Sequence, residues 1–140
     1  MEKRESNEDA HLRVVRGFLA GLSDPNETMA SLGRYLHPDI VQEEFPNAVV
    51  PNGMRRDLAG LAVAFTKGAQ VITGQRFEVR QALVCGDQVV AEVDWTGTLK
   101  IPYGPLRPGD QMRAHIAAFF QLRDGRIIAQ RNYDCYEPFA

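Results

Sequence analysis

The chain has 140 residues, 44% hydrophobic and 24% charged, which is enough apolar material for one core and too little length for two comfortable ones. Sixteen Lys and Arg against eighteen Asp and Glu leave a net charge of −2, which argues against a nucleic-acid partner and its clustered basic face. Uncharged apolar runs such as 116–120 fall far short of the roughly 20 residues that span a bilayer, the first twenty residues carry charges and no secretory core, and Cys85 and Cys135 lack the spacing of a zinc site or a disulfide framework. The expectation is one cytoplasmic globular domain over residues 1–140, with 1–5 a charged tail.

Ser6 followed by Asp9 resembles a capping box, and Val14, Val15, Phe18, Leu19 and Leu22 recur at helical spacing, predicting a first helix over residues 7–22. Asp24-Pro25-Asn26-Glu27 predicts a second helix start, with Asp24 as cap and Pro25 in the first turn. Met29, Leu32, Tyr35 and Leu36 form its buried stripe, and His37-Pro38 ends it. Residues 40–45 read as a short strand, and 46–53 as a Pro/Asn-rich loop. A third helix is expected over 53–69, with Leu58, Leu61, Ala62 and Phe65 facing the core and Gly68 at its end. Beyond Gly74 the pattern becomes β, with strands over 76–85, 88–100, 112–123 and 126–136. Hairpin turns fall at Cys85-Gly86-Asp87 and Arg123-Asp124-Gly125-Arg126, and the segment 101–110, with three prolines and two glycines, is a rigid connection.

This order predicts an α+β architecture in which three N-terminal helices pack on a curved antiparallel sheet, enclosing a cone that makes a natural ligand pocket. Val93, Trp95 and Phe120 predict that the other sheet face is not wholly polar, and burial in a homodimer is one way to cover it.

Polar residues inside the strands carry the functional reading. Glu92, Asp94, Thr96 and Thr98 alternate with Ala91, Val93, Trp95 and Leu99. Asn132, Asp134 and Tyr136 share one face of the last strand, opposite Arg131, Tyr133 and Cys135. Gln42 and Glu44 share a face opposite Val41, Glu43 and Phe45, and His115 lies on a face with Arg113, Ala117, Phe119 and Gln121. With Glu44, Asp94 and Asp134 all pointing into the cone, three carboxyl groups would meet in one cavity, and burial with mutual repulsion would raise at least one pKa. Alternatively the same carboxylates are solvated or paired with Arg76, Arg80, Arg113 or Arg131. The two cysteines read as small buried hydrophobes, and Trp95, Phe119 and Phe120 as core or interface residues. His11, His37 and His115 are dispersed, so no metal site is expected. With no G-x-S-x-G, phosphate-loop or dinucleotide pattern, no cofactor is expected either.

Three stretches together resemble the nuclear-transport-factor-2-like superfamily, specifically its SnoaL-like branch, over residues 8–139. They are Tyr35-Leu36-His37-Pro38-Asp39-Ile40-Val41, Asp94-Trp95-Thr96-Gly97-Thr98, and Arg123-Asp124-Gly125-Arg126-Ile127-Ile128 with Asn132-Tyr133-Asp134. The resemblance implies the cone fold, a small-molecule pocket and a homodimer, but not one reaction, since the superfamily includes polyketide cyclases, ketosteroid isomerases, epoxide hydrolases, dehydratases and non-catalytic modules. Against the epoxide hydrolases, Asp134 and Asp94 match the two acids, while Glu92 stands where an Arg is needed and Gln42 and Glu44 replace a Tyr and an Asn. Against the ketosteroid isomerases, Glu44 matches the base, while 116–119 is apolar where a protonated Asp is needed. Against the SnoaL-type cyclases, Asp134 matches the single Asp base. The leading reading is a cofactor-free protein for a small, largely apolar, carbonyl-bearing ligand of polyketide or steroid type. Asp134 abstracts a proton, Asp94 or Glu44 is its partner, Tyr136 or His115 hydrogen-bonds the enolate, and Asn132 and Gln42 complete the binding set. The alternatives are a non-catalytic ligand carrier or dimerisation module, and a dehydratase that joins His115 to Asp94 or Glu44.

Overall fold

The computed structural model describes residues 5–139. The charged tail expected over 1–5 lies outside the described residues except for Glu5, which accepts a hydrogen bond from Arg13 Nε at 3.0 Å. Helix α1 spans Asn7–Leu22; Ser6 Oγ caps it by accepting from Asp9 N at 3.1 Å, and Val14, Val15, Phe18 and Leu19 form its buried stripe.

The second helix differs from expectation. Asp24 does not start it, because its side chain closes a turn on Asn26 N at 2.9 Å. The start falls instead at Thr28, which forms a capping box with Ser31, and α2 is the single turn Met29–Leu32 followed by a 3-10 turn, Gly33–Tyr35. His37 and Pro38 lie within strand β1, Leu36–Glu44, whose pairing with the last strand is interrupted between Leu36 and Val41, around the proline that has no N–H to give. The first residues expected in the third helix form a short strand instead, β2 (Met54–Arg56). Asp57 Oδ1 then caps α3 (Leu58–Val71) through Gly60 N at 2.8 Å, so that helix starts later than 53 and runs past Gly68.

The remaining strands are β3 (Ile72–Cys85), β4 (Gln88–Leu99), β5 (Gln111–Arg123) and β6 (Arg126–Tyr136). The six-stranded sheet runs β2-β1-β6-β5-β4-β3. The turn at Asp124-Gly125 has both residues at positive φ, 53° and 75°, as a tight right-twisted hairpin needs. Two expectations change here. The pairing of β1 with β6 is parallel, so the sheet is mixed, and α3 follows two strands where one was expected before it, so only α1 and α2 precede the sheet. Interruptions of register in β3, between Thr73 and Arg76 and between Val79 and Gln81, bend the sheet's edge.

Alternation along the strands separates two faces. Val89, Ala91, Val93, Trp95 and Leu99 of β4, with Met112, Ala114, Ile116, Ala118, Phe120 and Leu122 of β5, are buried on the inner face, in one core with α1 and, at its margin, Leu58, Leu61 and Phe65 of α3. Each fully buried large side chain here, such as Phe120 or Ile40, contributes about 1.5–3 kcal/mol. Val93, Trp95 and Phe120 therefore belong to the core and not to the second face. The apolar character of that outer face comes from Val41, Leu83, Phe119 and Tyr133. Cys85 and Cys135 are exposed, not buried. No described helix is long and apolar enough to cross a membrane.

Candidate functional site

Register places the carboxylates on opposite sides of the sheet. Glu44 is opposite Asn132 across the parallel β1–β6 pair, and Gln42 is opposite Gln130. Asn132, Asp134 and Tyr136 pair with Ala118, Ile116 and Ala114 of β5, all inner-face residues. Asp94 is the cross-strand neighbour of His115, between the buried Val93 and Trp95, and so projects outward. Gln42, Glu44, Asn132, Asp134 and Tyr136 thus share the helix-covered face, while Asp94 and His115 lie on the other. The expected three-carboxylate cluster contains two of its members.

The inner group is built around an ion pair that the sequence reading did not include. The short strand β2 carries Arg56 opposite Gln42. Arg56 Nη1 donates to Glu44 Oε1 at 3.0 Å and to Gln42 Oε1 at 3.2 Å, with side chains only 18% and 14% exposed for Arg56 and Glu44. Asn47 Nδ2 donates to Glu44 Oε2 at 3.0 Å, and Asn47 Oδ1 accepts from Val49 N and Val50 N, both at 2.9 Å. One asparagine therefore fixes both the 45–53 loop and the carboxylate. The signal for Arg56 was its place just before the Asp57 cap, in a stretch read as the start of the third helix.

Asp134 is different. Its Oδ1 is buried and has no hydrogen-bond partner. Burial pushes its pKa up to about 6, the nearby Glu44 charge pushes in the same direction, and Arg56 opposes them. Burial also raises the Tyr136 hydroxyl, reinforced by Asp134 and Glu44, so it stays a protonated donor. The Tyr136 ring packs edge-on against Trp95, with centroids 6.0 Å apart, and Trp95 Nε1 donates to Gln75 Oε1 at 2.9 Å. Phe139 and Tyr103 extend this aromatic wall, their centroids 5.5 Å apart. Chemically this is a carboxylate of raised basicity beside a phenol donor and a guanidinium, against an apolar background.

The outer group is a charge network. His115 Nδ1 lies 2.9 Å from Asp94 Oδ1 and Nε2 lies 3.1 Å from Glu137 Oε2, while Arg80 Nη1 donates to Asp94 Oδ2 at 2.9 Å. With a carboxylate at each ring nitrogen, His115 is raised above its ordinary value, Asp94 contributing most; Asp94 is lowered, by His115 first and then by Arg80. Arg80, Asp94 and His115, with Glu92, Tyr133 and Cys135, line an open concavity of about 380 Å³. The His–carboxylate contact considered for a dehydratase is thus made with Asp94 and not with Glu44, on a surface where the His115 side chain is 60% exposed. Among the described residues no three His, Cys, Asp or Glu side chains gather as metal ligands.

The SnoaL-like domain family matches residues 15–130. IdmH from Streptomyces antibioticus, proposed to be a polyketide cyclase, shares the fold at a TM-score of 0.74 and 20% identity, covering 89% of this chain and 91% of its own. A protein from Jannaschia sp. CCS1, proposed to be a SnoaL-like polyketide cyclase, aligns at a TM-score of 0.73 and 17% identity, covering 96% and 91%. An M. tuberculosis LEH-like epoxide hydrolase aligns at a TM-score of 0.69 and 20% identity, covering 94% and 86%. At these identities the likeness is one of fold. No curated protein matches the chain.

Proposed function

Because the chain belongs to the SnoaL-like domain family, whose fold carries several chemistries, we propose that it is a cofactor-free acid–base catalyst acting on a small, apolar, carbonyl-bearing molecule of polyketide or steroid type. The observation that carries this reading is Asp134, a half-buried carboxylate with one buried, unpartnered oxygen and a pKa raised to about 6. Such a group is ionised at neutral pH yet more basic than an exposed aspartate, which suits abstraction of a proton α to a carbonyl. The proton moves to Asp134 Oδ1, the C–H electron pair becomes the enolate, and the oxygen charge is met by the Tyr136 hydroxyl and the Arg56 guanidinium. Reprotonation or ring closure then returns the proton. Glu44 is the partner carboxylate, held in place by hydrogen bonds from Arg56 and Asn47. Asp94 and His115 have no part in this step. The working unit is a homodimer that covers the outer face, where Val41, Leu83 and Tyr133 are 38%, 59% and 43% exposed.

The test is exchange of the α-protons of 2-tetralone into D2O, followed by NMR. Wild-type protein accelerates exchange, and Asp134→Asn lowers the catalysed rate by about 10²–10⁴-fold. Full exchange by the variant removes Asp134 as the base, and no acceleration by the wild type leaves a binding module of the same fold.

A second reading, epoxide opening, is supported by Arg56. Glu92 stands where an epoxide hydrolase of this fold would carry an arginine, but Arg56 brings a guanidinium to Glu44 on the inner face. Diol formation from limonene oxide, lost in Arg56→Met, would favour it over enolisation.

A further inference from the structure

Among the described residues, two buried side-chain polar atoms lack a hydrogen-bond partner, and both are acceptors on the inner face of β6. They are Asp134 Oδ1 and Gln130 Oε1. Gln130 is only 4% exposed, the one buried polar side chain in the core. Its Nε2 donates to Asn132 Oδ1 at 2.9 Å, so the amide is oriented with its oxygen left over. A buried amide oxygen without a donor carries its full desolvation cost, and proteins of this size rarely tolerate one without a reason. Asp134 is the other case, and its reason is the proposed chemistry.

Gln130, Asn132, Asp134 and Tyr136 form a polar ladder on alternate residues of one strand. Beside Asn132 and Tyr136, β5 supplies the small side chains Ala118 and Ala114. Four residues at the strand rise of about 3.3 Å place the backbone positions of Gln130 and Asp134 about 13 Å apart along β6. Phe120 and Gln42 flank Gln130 from either side. Gln42 Oε1 is already taken by Arg56, so Gln130 Oε1 is the acceptor left open at this end of the ladder.

We propose that Gln130 is a second anchor for the ligand: its Oε1 accepts a hydrogen bond from a hydroxyl carried on the end of the ligand remote from the carbon that Asp134 deprotonates. The inference rests on the inner face being the ligand site, as in the reading above. It adds a requirement of shape and chemistry: a rigid, mostly apolar ligand with an acidic C–H at one end and a hydroxyl roughly 10 Å away, spanning two strand positions about 13 Å apart. No bond is made or broken at Gln130, so it is a specificity residue and not a catalytic one.

The probes are 4-acetylbiphenyl and 4-acetyl-4′-hydroxybiphenyl, which share a carbonyl with α-protons and differ only in the distal hydroxyl. Binding is read from quenching of Trp95, the single tryptophan, which lies on the same inner face. The hydroxylated probe binds the wild type about tenfold more tightly. Gln130→Met keeps the length of the side chain and removes the acceptor; the preference then falls to about one, while affinity for 4-acetylbiphenyl stays within about threefold. Gln130→Glu keeps an acceptor and retains the preference, which covers the case in which the methionine variant does not fold. Equal binding of the two probes by wild type overturns the role of Gln130 and leaves that of Asp134 standing. The same holds if the preference survives in Gln130→Met, since a buried water or nothing at all then meets the orphan oxygen. Binding of neither probe overturns the inner-face site itself, and this inference with it.

Discussion

Asp134 is held in a state that the fold resists. Its carboxyl has a pKa near 6 in the folded protein against 3.8 ordinarily, and at about 1.4 kcal/mol for each tenfold change in proton affinity the ionised form costs the fold about 3 kcal/mol at neutral pH. The value is raised on folding, so its favourable contribution is complete below pH 3.8 and is lost as pH rises through about 6. Asp134→Asn removes the charge and keeps the shape. Its Tm is therefore expected to exceed that of wild type at pH 8, with the gap closing below pH 4, while its catalysis is lost; thermal unfolding across that range checks this. A variant less stable than wild type at pH 8 would mean that the ionised carboxylate is satisfied after all. On β4 the alternation was legible but its sense was not: Asp94 was expected in the cone and Val93 and Trp95 on the other face, whereas the structure buries Val93 and Trp95, so Asp94 between them points away from the helices. Nor was the sense legible on β6, where Asn132-Asp134-Tyr136 and Arg131-Tyr133-Cys135 are equally mixed, and only the parallel register with β1 decides that Asp134 joins Glu44.

At the scale of elements, the site depends on the turn between β1 and β2. Asn47 holds Glu44 and the loop backbone together, and Gly53 sits at φ 70°, where an added Cβ would lie 2.8 Å from the Glu44 carbonyl oxygen. Asn47→Ala is expected to cost about 2 kcal/mol of stability in urea unfolding and to slow catalysis by freeing Glu44 and Arg56. If stability falls and exchange of 2-tetralone is untouched, the ion pair has only a structural role. The four long strands and α1 were legible because each carries a strong period and a clear cap or turn. The second helix was not, because Asp24-Pro25 is a good start signal in isolation and the Thr28–Ser31 box, four residues later, competes successfully with it. Nor was β2 legible, since a strand of three residues has no period to read and exists only because β1 offers it an edge.

For the whole molecule, the two faces of one sheet do different work. The inner face holds the half-buried carboxylate, the ion pair and the aromatic wall under the helices. The outer face holds the Arg80–Asp94–His115–Glu137 network and an apolar centre, where Tyr133 stacks on Phe45 with centroids 4.6 Å apart and meets Phe119 edge-on at 5.7 Å. If a second copy covers that centre, Tyr133→Glu yields a monomer in sedimentation velocity that keeps its helical and strand content; a wild type that is already monomeric at micromolar concentration would contradict the homodimer. The central claim is that Asp134 is a half-buried base whose proton affinity is set by its neighbours, and its most direct test is a ¹³C NMR titration of the Asp134 side-chain carboxyl in wild type and in Glu44→Gln. The account predicts a midpoint near 6 in the wild type and a lower one in the variant, because burial and the Glu44 charge both raise it. A wild-type midpoint near the ordinary 3.8, unmoved by the loss of Glu44, would contradict it.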